Sequence, residues 1–270
     1  MPEGPEVYTV VKKLQGLVNQ TLSDIVFVEN SYPETQQIYQ HIKSYFPVTI
    51  TAIWCHGKYI FFNLTTKDNI TFYLHSHLMM TGRWSWEELP KTKLVFHLHD
   101  RKVYFSSKRG LSKFLILTDQ SQLQNILSNL GPDILTQPLP FDNWWVVLTK
   151  NGRGINRNIT SALMDQNIFA GIGNYLKAEI LYLSRIHPKH TLAELDLQQI
   201  QLLYFNFYDV PRRSAMSGGL TISDYWDPDG NQGVFNKLVY SSAVDPHGYP
   251  VLKGKFPDGR STYYVEQVQY

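Results

Sequence analysis

The hydrophobic period of this chain changes along its length, which limits it to a mixed architecture built in sections. Val7, Val10, Val11, Leu14 and Leu17 recur at three- and four-residue steps, one apolar helical stripe beginning just after Pro5 and Glu6. From about Thr21 to Thr118 the pattern is that of strands. TITAIWCHGKYIFFNL, NITFYLHSHLM, KLVFHLH and KVYFSS are short, β-branched and aromatic, with turn-like pieces such as TTKDN and HDRK between them. Strands at that spacing predict a β-sandwich or flattened barrel. Beyond the proline-rich LGPDILTQPLP the period turns helical, in FDNWWVVLTK, NITSALMDQN, KAEILYLSRI and LAELDLQQIQLLYFNFY. The chain ends as a predicted hairpin, YPVLKGKF, turn PDGR, then STYYVEQVQ. The expected fold class is therefore α+β and multidomain. Residues 1–130 form an N-terminal helix plus β-sandwich, and 131–270 a helical domain carrying the hairpin from about 235.

Composition adds two exclusions. A single cysteine, Cys55, rules out a disulfide within the chain and a cysteine-based structural zinc site. The first residues, MPEGPEVYTV, lack the basic and apolar regions of a signal peptide, and no stretch approaches the roughly 20 apolar residues that span a bilayer. The expectation is a soluble protein of a reducing intracellular compartment, with no membrane partner. A net charge of +2 neither requires nor excludes a polyanionic partner.

Several short stretches carry chemistry. Removal of Met1 from MPEGPE would leave Pro2 with a free secondary amine, and an α-amine with a pKa of about 8 is partly unprotonated near neutrality. Such an amine attacks an aldehyde-like carbon to form an iminium, which eases cleavage of neighbouring bonds. Glu3 and Glu6, three apart, would share a helical face beside it and move protons. In MDQNIFAGIGNYLKAEI, Gly171 and Gly173 form a tight turn between two helices. The second helix would aim free N–H groups outward as a phosphate site, with the Asn174 side chain as a further donor; a plain Asn N-cap is the bland reading of the same residues. Lys58, in HGKYIFF, would enter a strand and point its charge toward a groove, or be an ordinary edge lysine. Arg260, just past the PDG turn, would sit at an exposed tip and reach a phosphate. The histidine pairs His75/His77 and His97/His99 offer a competing reading as a metal site of a β-barrel enzyme, since H-x-H places both rings on one strand face.

Taken in order, MPEGPE, GKY, HLMMTG, LGPD, MDQNIFAGIGNYLKAEIL…IHP and the terminal GRSTYYVEQVQ make the chain resemble the Fpg/Nei family of DNA glycosylases over nearly its whole length. The family fold joins an N-terminal helix and β-sandwich to a helix–two-turn–helix domain with a zinc-finger hairpin. Val265 and Val268 stand at the places of a C-x-x-C pair, with Val244 and His247 where the upstream pair would be. The resemblance is thus to the zincless-finger branch known from vertebrate Nei-like glycosylases and large DNA viruses. Apolar and aromatic packing (Tyr240, Tyr249, Phe256, Tyr263 and Tyr264) would then replace the metal.

The resemblance implies a bifunctional DNA glycosylase and AP lyase of base excision repair. It would act on oxidised pyrimidines and on ring-opened or hydantoin purines, through a Pro2 Schiff base and β,δ-elimination. Its partner would be damaged DNA, in duplex or single strand or with abasic sites. It would need no cofactor or metal, and would work as a monomer in the nucleus or in a viral or host DNA compartment. Pro2, Glu3, Glu6 and Lys58 take catalytic roles. Lys58, His77, Asn174 and Arg260 contact DNA, and Met80 fills the gap left by the extruded base. Arg109 and Leu111, in SSKRGLSKF, match no role cleanly. Met79 stands where the motif often has glycine, and Thr160 where a phosphate-binding lysine often stands. The loop SGGLTISDYWDPDGNQG would shape the choice of lesion. The alternative is a catalytically inactive damage- or structure-specific DNA-binding protein on the same scaffold.

Overall fold

The computed structural model describes residues 1–29, 31–221 and 225–270. Residues 222–224 of the loop expected to select the lesion lie outside the described residues. The chain divides into two compact units. The first comprises Met1–Pro2, Glu6–Ser128 and Thr221–Val234; the second comprises Glu3–Pro5, Asn129–Leu220 and Phe235–Tyr270.

Helix α1 (Gly4–Leu14), which belongs to the first unit from Glu6 onward, starts three residues ahead of Val7, the first residue of its apolar stripe. Its Val7, Val10, Val11 and Leu14 are all buried, as is Leu17 in the 3-10 turn that follows. Eight antiparallel strands make one sheet: β1 (Thr21–Phe27), β2 (Val48–His56), β3 (Tyr59–Thr65), β4 (Thr71–His77), β5 (Gly82–Ser85), β6 (Thr92–Leu98), β7 (Lys102–Ser107) and β8 (Lys113–Leu117). Their order is β5-β7-β6-β1-β2-β3-β4-β8. The sheet bends sharply at β1, which pairs with β2 at only two positions and carries a bulge between Leu22 and Asp24 on its β6 side. The bend folds the sheet into two facing layers. Trp84 of β5 meets Phe62 of β3 at 5.1 Å between ring centres, and Phe96 of β6 meets Phe114 of β8 at 6.2 Å. This is the expected β-sandwich, with an aromatic core.

The strand region is not continuous. Helix α2 (Pro33–Ile42) interrupts it, with Pro33 in its first turn and Thr35, Tyr39 and Ile42 buried, and α3 (Gln120–Leu127) closes it.

The second unit contains α4 (Phe141–Leu148), α5 (Ile159–Met164), α6 (Asn174–Leu183), α7 (Leu197–Met216) and the hairpin of β9 (Leu252–Lys255) and β10 (Ser261–Tyr264). α7 opens on a capping box between Asp196 and Gln199 and runs through Pro211 to Met216, beyond the predicted stretch, which ended at Tyr208. In the hairpin, Ser261 faces Lys255 and Tyr264 faces Leu252. The final strand ends at Tyr264, so Val265 and Val268 lie in the turn beyond it.

Candidate active site

Glu3 belongs to the second unit and lies just ahead of α1. Its carboxylate accepts three backbone N–H bonds at the start of α6: from Gly173 (2.7 Å) and Leu176 (3.2 Å) on Oε2, and from Tyr175 (2.9 Å) on Oε1. These are the orphan donors of a helix N-terminus, and the helix dipole adds to their hold on a negative charge. The N–H groups read from sequence as an open phosphate site are therefore occupied by the protein's own carboxylate.

The two glycines of G-x-G each have a physical reason. Gly171 adopts φ +117° and its carbonyl accepts from the Gly4 N–H at 2.9 Å, bringing the N-terminal segment against the loop. A Cβ on Gly173 would fall 2.2 Å from Cδ of Glu3, so only glycine leaves room for that carboxylate. Gln166 braces the loop, accepting from the Gly171 N–H and donating to the Met164 and Ile172 carbonyls.

Asn174, Lys177 and Glu179 of α6 organise the hairpin. The Asn174 Nδ2 donates to the Ser261 carbonyl at 2.9 Å, and the Asn174 side chain also hydrogen-bonds the Tyr240 hydroxyl, whose pKa burial raises and this bond lowers. Lys177 and Asp258 form a salt bridge with side chains 0% and 2% exposed. The other Asp258 oxygen accepts from the Arg260 N–H at 3.2 Å. Burial lowers the pKa of the Lys177 ammonium, opposed by Asp258 and by the Glu3 charge. The Glu179 carboxylate accepts from the Leu238, Val239 and Tyr240 N–H groups at 2.8–3.0 Å, against a burial that raises its pKa.

At the metal-finger positions, Val265 is buried with Val239 against Ala178 and Tyr182 of α6, and Val268, Tyr240 and Tyr263 pack on this cluster. Val244 and His247 are exposed. Between them Asp245 takes the place of a hub: its carboxylate accepts from Tyr182 Oη (2.9 Å) and from the His247 and Tyr249 N–H groups (2.9 and 2.8 Å). Aromatic pairs Tyr240–Tyr263 and Phe256–Tyr264 close at 5.2 and 5.6 Å, but Tyr249 is exposed. The expected aromatic staple is thus supplemented by buried carboxylates.

In the first unit, Pro2 is buried and Glu6 is fully buried in the first turn of α1. Glu3 precedes α1 by one residue, so of the two carboxylates only Glu6 lies within the helix. The Tyr225 hydroxyl donates to the Glu6 carbonyl at 3.3 Å, and burial together with the Glu6 charge raises the phenol pKa.

Lys58 is not in a strand: with Gly57 (φ +58°) it forms the two-residue turn between β2 and β3, next to the His56–Tyr59 pair. His77 lies opposite Tyr59, at 4.7 Å between rings. Burial, then Lys58, then Lys113 push His77 down to about 4, and burial holds His75 at about 3. β4 and β6 are separated by three strands, so the His75/His77 and His97/His99 pairs are not sheet neighbours. Among the described residues no group of three or more His, Cys, Asp or Glu is placed to hold a metal ion.

Met80 follows β4 in a turn, and the Arg109 guanidinium reaches its sulfur at 3.5 Å, while the Arg109 N–H donates to Thr81 Oγ1 at 3.1 Å. Arg109, which matched no role in sequence, thus stands beside Met80, with exposed Leu111 two residues on. The only signal for this would have been the exposed Lys108–Arg109–Gly110 turn, in which Gly110 takes φ +65°. Thr160 is fully buried and its N–H donates to Asn158, so it does not replace a surface lysine.

Residues 1–114 match the formamidopyrimidine-DNA glycosylase N-terminal domain and residues 130–225 the formamidopyrimidine-DNA glycosylase H2TH domain. The chain belongs to the formamidopyrimidine-DNA glycosylase family. It is accordingly a DNA glycosylase, a DNA-binding enzyme of base excision repair. The family's formamidopyrimidine-DNA glycosylase from Acaryochloris marina is 29% identical over 100% of this chain and 99% of its own length. Among solved structures, the MutM (Fpg) protein of Thermus thermophilus superposes with a TM-score of 0.83 at 26% identity, over 99% of this chain and 98% of that one. The fold of Lactococcus lactis Fpg, solved with DNA containing an abasic site, matches with a TM-score of 0.84 at 23% identity, over 99% of both chains.

Proposed function

We propose that this family member is a bifunctional glycosylase and AP lyase of the zincless-finger branch. It removes oxidised pyrimidines and ring-opened or hydantoin purines from DNA, with Pro2 as nucleophile once Met1 is removed. The observation that carries the reading is the cradle of three N–H donors that fixes Glu3, the residue covalently next to Pro2. A chain that places a carboxylate so firmly beside its N-terminal amine has a use for a positioned proton there. The branch assignment is supported by buried Val265 and exposed Val244 and His247 at the finger positions.

In this reading Lys58, Asn174 and Arg260 grip the phosphates around the lesion, His77 lies against the backbone beside Lys58, and Met80 with Arg109 fills the gap left by the everted base. Phosphate contacts position the duplex and the pocket discriminates the base. The Pro2 nitrogen lone pair attacks C1′, the bond from C1′ to the base breaks, and its electron pair leaves with the base. The cradled Glu3 carboxylate takes the proton that the nitrogen loses and passes it to O4′; the C1′–O4′ bond breaks as the nitrogen lone pair closes onto C1′, which yields the iminium. Loss of a C2′ proton then expels the 3′ phosphate, and a second elimination expels the 5′ phosphate. Glu6, buried in the turn behind, holds the charge of the iminium. The enzyme works as a monomer in a compartment that contains DNA.

Borohydride trapping tests this. Untagged protein is incubated with an oligonucleotide carrying an abasic site or an oxidised pyrimidine, reduced, and mapped by mass spectrometry. The expected result is a covalent adduct on Pro2. Binding without any trapped adduct would refute the nucleophile and favour a damage-binding protein on the same scaffold.

A further inference from the structure

We infer that Lys177 is a positioning residue for DNA binding: through Asp258 it holds the turn that presents Arg260. The inference rests on the phosphate role of Arg260 proposed above, and deepens it.

An ammonium buried to 0% exposure on a helix is costly unless a partner compensates it, and Asp258 does so from within the same unit. Asp258 is also the residue that shapes the tip. One oxygen takes Lys177 and the other takes the Arg260 N–H, while Gly259 turns at φ +72° with its N–H on the Phe256 carbonyl. The Arg260 backbone is therefore fixed one bond network away from α6, and its exposed side chain projects from a fixed point. One residue further on, Asn174 holds the Ser261 carbonyl. Lys177 lies one turn along from the α6 amides that hold Glu3, and the Glu3 charge favours its ammonium form. One helix thus carries both the cradle for Glu3 and the anchor for the arginine. A surface hairpin needing only solubility would have no reason to bury a lysine under its tip.

The test is equilibrium binding of the full chain to a duplex containing a tetrahydrofuran abasic analogue, across a salt series. Loss of one phosphate contact lowers the slope of log K against log salt by about 0.9. Arg260→Ala is expected to show that loss. Lys177→Met is expected to show the same loss, with no further loss when combined with Arg260→Ala, and Lys177→Arg to restore most of the slope. Because Lys177→Met strands a buried aspartate, the variant K177M/D258A, which removes both charges, is measured alongside after its thermal melt shows it folded at the assay temperature. It too is expected to lose about 0.9 of slope, a readout that general destabilisation does not move. A slope lowered in R260A but intact in folded K177M/D258A overturns the positioning role alone. An unchanged slope in R260A overturns the role of Arg260 and the inference with it.

Discussion

Gly173 is the residue where space, not backbone freedom, decides the amino acid. Its φ of −131° is open to any residue, but a Cβ would lie 2.2–2.6 Å from the Glu3 side chain. Gly173→Ala must therefore expel the carboxylate from its three donors. Since a positioned acid contributes about 10²–10⁴ in rate, turnover on an oxidised-pyrimidine duplex is expected to fall at least about 10²-fold. Affinity for an abasic analogue should change little. Unimpaired turnover in that variant would mean the cradle does not position the acid. This glycine was visible in sequence as part of a turn, but its reason was not, because the clash comes from a residue 170 positions away. Met79 shows the converse. Its φ of +52° is a conformation that favours glycine, so the motif's usual glycine reflects backbone geometry that this chain retains at the strained methionine.

The hairpin is the element held by apolar packing on α6 and by hydrogen bonds to buried carboxylates. Period and turn residues made its strands legible, and the valines at the expected finger positions prompted the zincless reading proposed above. Asp245 was not legible, since an aspartate before Pro246 reads as an ordinary turn residue until Tyr182 is seen to donate to it. Lys177 escaped for a similar reason: a lysine in a helix reads as solvated, and only tertiary contact buries it. Helix α2 was missed because ten residues of mixed polarity fell within a run of strand patterns. Asp245→Ala would leave Tyr182 Oη and two N–H groups without their acceptor. The Tyr182 bond is the buried one of the three, and a buried unsatisfied donor costs about 1–3 kcal/mol, so a loss of about 1–3 kcal/mol is expected in urea unfolding, with faster amide exchange over 245–251. The same unfolding curve should be unmoved by chelator, because the staple is made of protein groups. A variant as stable as the parent would remove Asp245 from the role of hub.

For the whole molecule, the sequence of hydrophobic periods displayed the helix, sandwich, helical region and hairpin, because each section repeats a local pattern. What it did not display are the ties between distant parts of one unit. Residues of the stretch after α7 count with the first unit, held there by Lys13 on Asp229 at 2.6 Å, by the Trp86 indole on Asp229, and by the Arg83 guanidinium over Trp226. Such pairs, more than a hundred residues apart, leave no periodic trace. The same scale governs affinity. With 25 basic against 23 acidic side chains the chain has almost no net field to attract DNA, so binding must come from a few placed cations. Lys58 and Arg260 are the two phosphate-binding cations proposed, with Arg109 as a third within reach of the nucleic acid. At about 0.9 per neutralised phosphate, the slope of log K against log salt is expected to be about −2 to −3. Fluorescence anisotropy with an abasic-analogue duplex between 50 and 200 mM salt measures it, on the scale of about a 15- to 60-fold loss of affinity. A flat response would remove the phosphate grip altogether. A slope several units steeper would mean that many more cations engage the backbone, and that lesion recognition rides on a broad electrostatic surface rather than on a few fixed contacts.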